Sequence, residues 1–121
     1  MMTRMMLKGL VILLALVAAP TLGLAEGDVE KGQAVYAKYC ATCHGATGKG
    51  DGPGAKALNP KPPRDLTDRA YMDGLTEEYL VKVIQKGGAA VGKSPLMPPW
   101  SPALKDGDIR DVVTYVRSLA K

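Results

Sequence analysis

The chain has 121 residues, 46% of them hydrophobic, which is enough for one folded domain and too few for two separate cores. Its formal net charge of +4 comes without a basic stripe interleaved with aromatic residues, so no nucleic-acid partner is predicted. Because the sequence holds only two cysteines and one histidine, a structural zinc site would have to recruit carboxylates.

Residues 1–25 have the pattern of a secretory signal peptide, with a basic start, an apolar run and small residues before a cleavage site. Cleavage before Glu26 would remove two cations and no anion, lowering the net charge from +4 to +2 and leaving a mature domain of residues 26–121 in the periplasm. The alternative is an uncleaved membrane anchor, since residues 9–25 just reach the length of a membrane span. The pattern consists of Arg4 and Lys8, residues 10–19, and Gly23 and Ala25.

A first helix is predicted after Asp28, whose side chain can cap the amino-terminus. Apolar or small residues recur at steps of three and four, which predicts one buried face and a helix that continues to about Cys43. The face comprises Val29, Gly32, Tyr36, Tyr39 and Cys43.

Residues 40–44 read Cys-Ala-Thr-Cys-His, which is the CxxCH signature of covalent haem c attachment. The thiols of Cys40 and Cys43 are predicted to bond to the two vinyl groups, and His44 is predicted to ligate the iron. One covalent haem c is therefore the predicted cofactor. Two alternatives are a thioredoxin-like dithiol, which needs a βαβ context that no strand-like run supplies, and a zinc site.

Residues 45–75 form a long stretch rich in Gly, Pro, Asn and Asp. Such a length of irregular chain is unusual in a compact domain unless it has another surface to pack on. A large flat cofactor provides that surface, so this loop is expected to pack on the porphyrin.

A second helix is predicted after Thr76, with Glu77 and Glu78 in its first turn, and it should end at Gly87. Residues 87–94 then match the phosphate-loop pattern GxxxxGK[ST]. Nucleotide binding is not predicted, because a helix precedes the pattern and Pro95 blocks the helix that would have to follow.

The second iron ligand must be another residue type, since His44 is the only histidine. Met97 is predicted for this position because the flanking prolines in SPLMPPW stiffen the backbone around it. Met72, Lys93 or an open site are the alternatives. A Met/His pair raises the reduction potential and leaves no place for substrate on the iron, which favours electron transfer over catalysis.

A last helix is predicted from about Asp106, with apolar residues in one arc. No segment shows strand alternation. The predicted fold class is therefore all-α, with three to four helices around one covalently bound haem and long irregular loops that pack on it. The arc consists of Ile109, Val112, Val113, Val116 and Leu119.

Residues 26–121 resemble a small bacterial class I cytochrome c, through the segments CATCHG, MPPW and DIRDVVTYVRSL. The resemblance implies the cytochrome c fold, thioether bonds from Cys40 and Cys43, and axial ligation by His44 and Met97. It also implies that the first and last helices cross where Gly32 faces Tyr115.

The resemblance further implies that the carbonyl of Pro53 accepts a hydrogen bond from the His44 imidazole, although a plain turn is the alternative. Arg64 and Trp100 are candidate neighbours of the haem propionates. For Arg64, a solvated surface position is the alternative.

The leading functional hypothesis is a periplasmic one-electron carrier that is not itself an enzyme. It would be a monomer without stable membrane insertion after signal cleavage, and it would pass electrons between a membrane oxidoreductase and a terminal acceptor. The alternative is a haem c subunit of a respiratory or dehydrogenase enzyme complex. A third hypothesis, a ligand-binding or peroxidatic haem protein, requires an open iron. The lysines of the mature region are interpreted as evenly solvated charges rather than as a docking ring.

Overall fold

The computed structural model describes residues 27–58 and 61–121, so the predicted signal peptide and its cleavage site lie outside the described residues. The regular structure of this part of the chain is helical, and no strand occurs in it. The α-helices are α1 (Val29–Tyr39), α2 (Ala41–His44), α3 (Arg69–Asp73), α4 (Glu77–Lys86) and α5 (Asp106–Leu119). Two 3₁₀ helices span Ala55–Leu58 and Gly88–Val91.

The all-α prediction is confirmed, whereas the number of helices is higher than expected. The described residues form five α-helices, and the two that were not predicted as separate helices, α2 and α3, have 4 and 5 residues. Helices this short extend over about one turn, and a hydrophobic period cannot be recognised over one turn.

Helices α1 and α5 cross in direct backbone contact at Gly32. A Cβ atom at this position would lie 2.5 Å from the carbonyl carbon of Asp111 and 2.9 Å from Cβ of Tyr115, so any larger residue would separate the helices. The predicted pairing of Gly32 with Tyr115 is therefore confirmed.

The core lies between α1, α3, α4 and α5. Helix α5 contributes the largest share, and the predicted apolar arc is buried at all positions except Leu119, which packs against the core from its edge. Burial of each large aliphatic side chain contributes about 1.5–3 kcal/mol. The buried side chains are Tyr36, Met72, Leu80, Ile84, Leu104, Ile109, Val112, Val113 and Val116.

The starts of the two long carboxyl-terminal helices follow from local hydrogen bonds. Oγ1 of Thr76 accepts from the N–H of Tyr79 at 3.1 Å, which confirms the predicted start of α4. Helix α5 begins one residue earlier than a cap at Asp106 would require. Its N-cap is Lys105, whose N–H donates to Oδ2 of Asp108 at 3.0 Å.

The phosphate-loop pattern at residues 87–94 lacks the structural context of a phosphate loop. Helix α4 precedes it, and Gly88–Val91 forms a 3₁₀ helix. A strand before the loop and a long helix after it are both required for such a site.

Candidate haem site

The CxxCH motif lies where α1 ends and α2 begins. Helix α1 ends at Tyr39, and the N–H of Cys40 still donates to the carbonyl of Tyr36 at 2.9 Å. The carbonyl of Cys40 then accepts from the N–H of His44 at 2.9 Å, which starts a new turn. The prediction of one helix up to Cys43 is therefore wrong. The helix is interrupted at Cys40, so Cys40 lies at the end of α1 and Cys43 lies in α2.

A glycine-rich segment, residues 50–54, lies against the motif and satisfies its carbonyl groups. The three glycines of this segment each donate a backbone N–H to a carbonyl of the motif, and the two segments run antiparallel to each other. The N–H groups of Gly50, Gly52 and Gly54 donate to the carbonyls of His44, Cys43 and Thr42 at 2.8, 3.2 and 2.8 Å.

Only glycine allows this approach at the centre of the segment. A Cβ atom at Gly52 would collide with the carbonyl oxygen of Thr42 and would lie 2.6 Å from that of Ala41. The first part of the long loop therefore packs on the attachment motif itself. From the sequence, this loop is expected to pack on the porphyrin only. The spacing Gly-x-Gly-x-Gly at residues 50–54 is the sequence signal that could have indicated it.

The imidazole of His44 has a buried Nδ1 atom without a hydrogen-bond partner in residues 27–58 and 61–121. Burial lowers the pKa of His44, and the nearby backbone carbonyl of Arg64 opposes this only in part. The ring is therefore neutral at pH 7, which is the form that ligates a metal. Because Nδ1 has no partner there, the hydrogen bond to the carbonyl of Pro53 is not formed in the described residues and stays a prediction.

Both cysteines are free thiols and are half-buried. Burial, together with the neighbouring Cys43, raises the pKa of Cys40 to about 11. Cys40 is therefore a neutral thiol at pH 7, and both sulfur atoms are available for thioether bonds.

The two candidate methionines occupy different environments. The side chain of Met72 is fully buried in the core, with 0% exposure. Met97 is half-buried at the edge of the core, and its carbonyl accepts from the N–H of Gly88 at 2.9 Å. The backbone around Met97 is thus held without a regular element, as predicted, and its role as iron ligand stays a prediction.

Trp100 and Arg64 each contact an aromatic ring. The ring of Trp100 lies 5.4 Å from that of Tyr39, the residue before Cys40, so Trp100 is brought to the end of α1 beside the motif. The exposed guanidinium of Arg64 lies over the ring of Tyr71 at 4.1 Å. Their contacts with propionates stay predictions.

These observations fit a covalent haem. Two free thiols and an imidazole lie within five consecutive residues, which is the donor set that the haem requires. The zinc alternative finds no ligand set in the described part of the chain, where no three His, Cys, Asp or Glu side chains come together.

Comparison with known protein families identifies the family to which the chain belongs. The family described as cytochrome c oxidase, cbb3-type, subunit III matches residues 27–116, more than half of the sequence. The chain belongs to this family of c-type cytochromes. The match to the subunit III family begins at the first described residue and includes the CxxCH motif, Met97 and most of α5.

The curated relatives are longer proteins. The cbb3-type cytochrome c oxidase subunit FixP of Azorhizobium caulinodans is 35% identical over 100 residues, covering 80% of this chain and 30% of the relative. The subunit CcoP of Rhodobacter capsulatus is 35% identical over 101 residues, covering 78% and 30%. The chain thus spans about a third of the length of the curated relatives it matches.

Solved structures support the cytochrome c fold. The KustC0563 c-type cytochrome superposes with a TM-score of 0.62 at 24% identity, covering 74% of this chain and 98% of that one. A chain of the Kuenenia stuttgartiensis reducing HAO-like protein complex Kustc0457/Kustc0458 superposes with a TM-score of 0.63 at 28% identity, covering 82% and 46%.

No helix in residues 27–58 or 61–121 is long and apolar enough to span a bilayer.

Proposed function

We propose that this chain is an electron-transfer cytochrome c domain of a respiratory oxidoreductase complex, carrying one covalent haem. The observation that carries the proposal is the half-buried His44 imidazole, with its Nδ1 atom fully buried, directly after two free thiols three residues apart. The relatives are named as subunits of a cytochrome c oxidase, so the comparisons favour the complex subunit over the free carrier.

Four residues would hold the cofactor. Cys40 and Cys43 would bind it through sulfur, and His44 and Met97 would ligate its iron. When bound, the haem supplies a reversible one-electron couple, and a methionine ligand raises its potential. The chain itself would hold these four side chains in place, and ligation by both His44 and Met97 would leave no position on the iron for a substrate.

The compartment is part of the same proposal. We infer that residues 1–25 direct export, and that the domain works in the periplasm either after cleavage at Glu26 or anchored through the uncleaved segment. The mass of the protein purified from the membrane and periplasmic fractions distinguishes these two forms.

The test is purification of the full chain from a bacterium competent in covalent haem attachment. The intact mass should equal the polypeptide plus one haem, and the ferrous protein should not take up carbon monoxide on mixing. In native extracts the haem should elute with a high-mass complex. A colourless chain or rapid carbon monoxide binding would refute the electron-transfer role, whereas elution as a monomer would refute the complex and support the free carrier.

A further inference from the structure

One buried side chain contacts the backbone directly after the iron ligand. Tyr36 is 2% exposed, and its hydroxyl donates to the carbonyl of Gly45 at 2.6 Å. Gly45 follows His44 and has a φ of 84°, in the region that favours glycine. Without a Cβ atom, this residue has no side-chain packing of its own to hold its peptide group.

Four successive carbonyls, those of residues 42–45, accept hydrogen bonds. The first three accept from the backbone of residues 50–54. The fourth, that of Gly45, accepts from the N–H of Gly48 at 3.1 Å and from the Tyr36 hydroxyl. Tyr36 is therefore the side-chain donor in this set, and it connects the motif to α1 rather than to the loop.

The ring of Tyr36 is held by the helix crossing. Its centroid lies 5.2 Å from that of Tyr115 at an angle of 58°, a tilted arrangement that is favourable for aromatic pairs. Tyr115 packs beside Gly32, where the two helices touch. The contact of α1 with α5 thus sets the position of the hydroxyl.

We propose that Tyr36 is a positioning residue for His44: its hydroxyl fixes the Gly45 peptide and thereby the orientation of the iron-ligating imidazole. This inference rests on the proposed haem function. Because Gly45 can rotate more freely than other residues, loss of the hydrogen bond would let the chain after His44 shift. The residual bond from Gly48 keeps the carbonyl partnered, so the fold should persist.

The test compares Tyr36→Phe with Tyr115→Phe in the haem-loaded protein. Both variants remove one hydroxyl from the same aromatic pair, but only the first removes the bond to Gly45. In the oxidised protein, the paramagnetically shifted proton resonances of the haem methyl groups would report the orientation of the ligating imidazole ring. We expect their pattern to change in Tyr36→Phe and to stay as in the wild type in Tyr115→Phe.

Hydrogen exchange provides a second readout. The Gly48 amide should exchange about five- to tenfold faster in Tyr36→Phe, the factor that corresponds to the loss of one buried hydrogen bond. Amides in α4 should keep their wild-type rates. A uniform acceleration over the whole chain would show a merely structural role and would overturn the proposal.

A measurement on the wild type covers the case in which the variant does not fold. The Tyr36 hydroxyl proton should appear as a slowly exchanging resonance close to the Gly45 α-protons, and its absence would overturn the proposal. Haem-loaded Tyr36→Phe with an unchanged methyl pattern would overturn this inference alone. A wild-type chain without haem would overturn the proposed function and this inference together.

Discussion

The two methionines of the described chain differ in burial, and this difference favours Met97 over Met72 as the proposed iron ligand. Met72 has 0% exposure among the core side chains, where a thioether acts as an ordinary apolar group. Met97 lies at the core edge in a proline-rich segment. A side chain that is completely enclosed by the core has no open side from which to reach a cofactor.

We therefore expect Met97→Ala to lose the weak long-wavelength absorption band that c-type cytochromes show when methionine sulfur is bound to ferric iron. The reduction potential should fall, because the sulfur favours ferrous iron. Met72→Leu is the matched control and should keep the band at a cost below about 1.5 kcal/mol. Absorption spectra of both oxidised variants provide the check, and a band that persists in Met97→Ala would contradict the ligand assignment.

The burial of Tyr36 has a consequence at alkaline pH. Burial, and secondly the neighbouring Cys40, raises the pKa of Tyr36 far above its ordinary value of 10.0. The unfolded chain ionises this phenol above pH 10 while the folded chain keeps it neutral. The contribution of the neutral Tyr36 phenol to the free energy of unfolding is thus fully present below pH 10 and is lost as the pH rises further.

At pH 11 the loss from this single group amounts to about 1.4 kcal/mol of unfolding free energy. We expect Tyr36→Phe to show a smaller decrease between pH 8 and pH 11 than the wild type, by about that amount. Denaturant unfolding at the two pH values measures this, with Tyr115→Phe as the control. Equal decreases in wild type and Tyr36→Phe would show that the phenol is not buried in the folded protein.

At the scale of elements, the α1–α5 crossing holds the first and last helices of the described residues together. The N–H of Gly27 donates to Oγ1 of Thr114 at 2.9 Å, and that of Asp28 donates to Oδ1 of Asp111 at 2.8 Å. Since α1 leads directly into the CxxCH motif, the position of the attachment site depends on this contact. The crossing in turn requires the absence of a side chain at Gly32.

Gly32→Ala is therefore expected to destabilise the protein by about 1–3 kcal/mol, the usual cost of overpacking a close contact. Gly107→Ala is the matched control, since nothing lies within 4 Å of a Cβ atom at Gly107 in α5. It should be neutral or stabilise by about 0.5 kcal/mol, because alanine has the higher helix propensity. Denaturant unfolding measures the free energy of unfolding of both variants. A Gly32→Ala protein that is more stable than Gly107→Ala would contradict the crossing geometry.

At the scale of the whole molecule, charge is scarce where Met97 lies. Residues 87–103 carry one charged side chain, Lys93, while Leu96 is 59% exposed. Prolines and alanines make up most of the remaining exposed surface of this segment. If Met97 ligates the iron, electrons cross a largely uncharged surface, and association there should depend little on salt.

Electron self-exchange between oxidised and reduced molecules tests this without a known partner. Its rate, measured by NMR line broadening, should change little with ionic strength. Leu96→Asp should slow it at least about tenfold, because two carboxylates would meet in the encounter complex. Val29→Asp adds the same charge at a residue that is 44% exposed on α1 and should have little effect. Equal slowing by both variants would place the exchange surface elsewhere.

The sequence alone was sufficient for several features that depend on neighbouring residues, although the helix break at Cys40 and the Lys105 cap of α5 were not predicted. The CxxCH spacing, the Thr76 cap and the apolar arc of α5 each involve groups a few positions apart, so composition and period identify them. The all-α class and the pairing of Gly32 with Tyr115 were also predicted, the latter through the family resemblance. The local features need no knowledge of how distant segments meet, whereas the Gly32–Tyr115 pairing joins α1 to α5 and could be predicted only through the resemblance.

Other features emerged only in the folded structure, because they depend on which segments the fold brings together. The hydrogen bonds from residues 50–54 to the motif and the contact of Tyr36 with Gly45 both join separate segments. The burial of Met72 likewise depends on α5, which is distant in the sequence. A buried backbone carbonyl must find a donor wherever the fold provides one, and which donor that is depends on the packing of the whole domain.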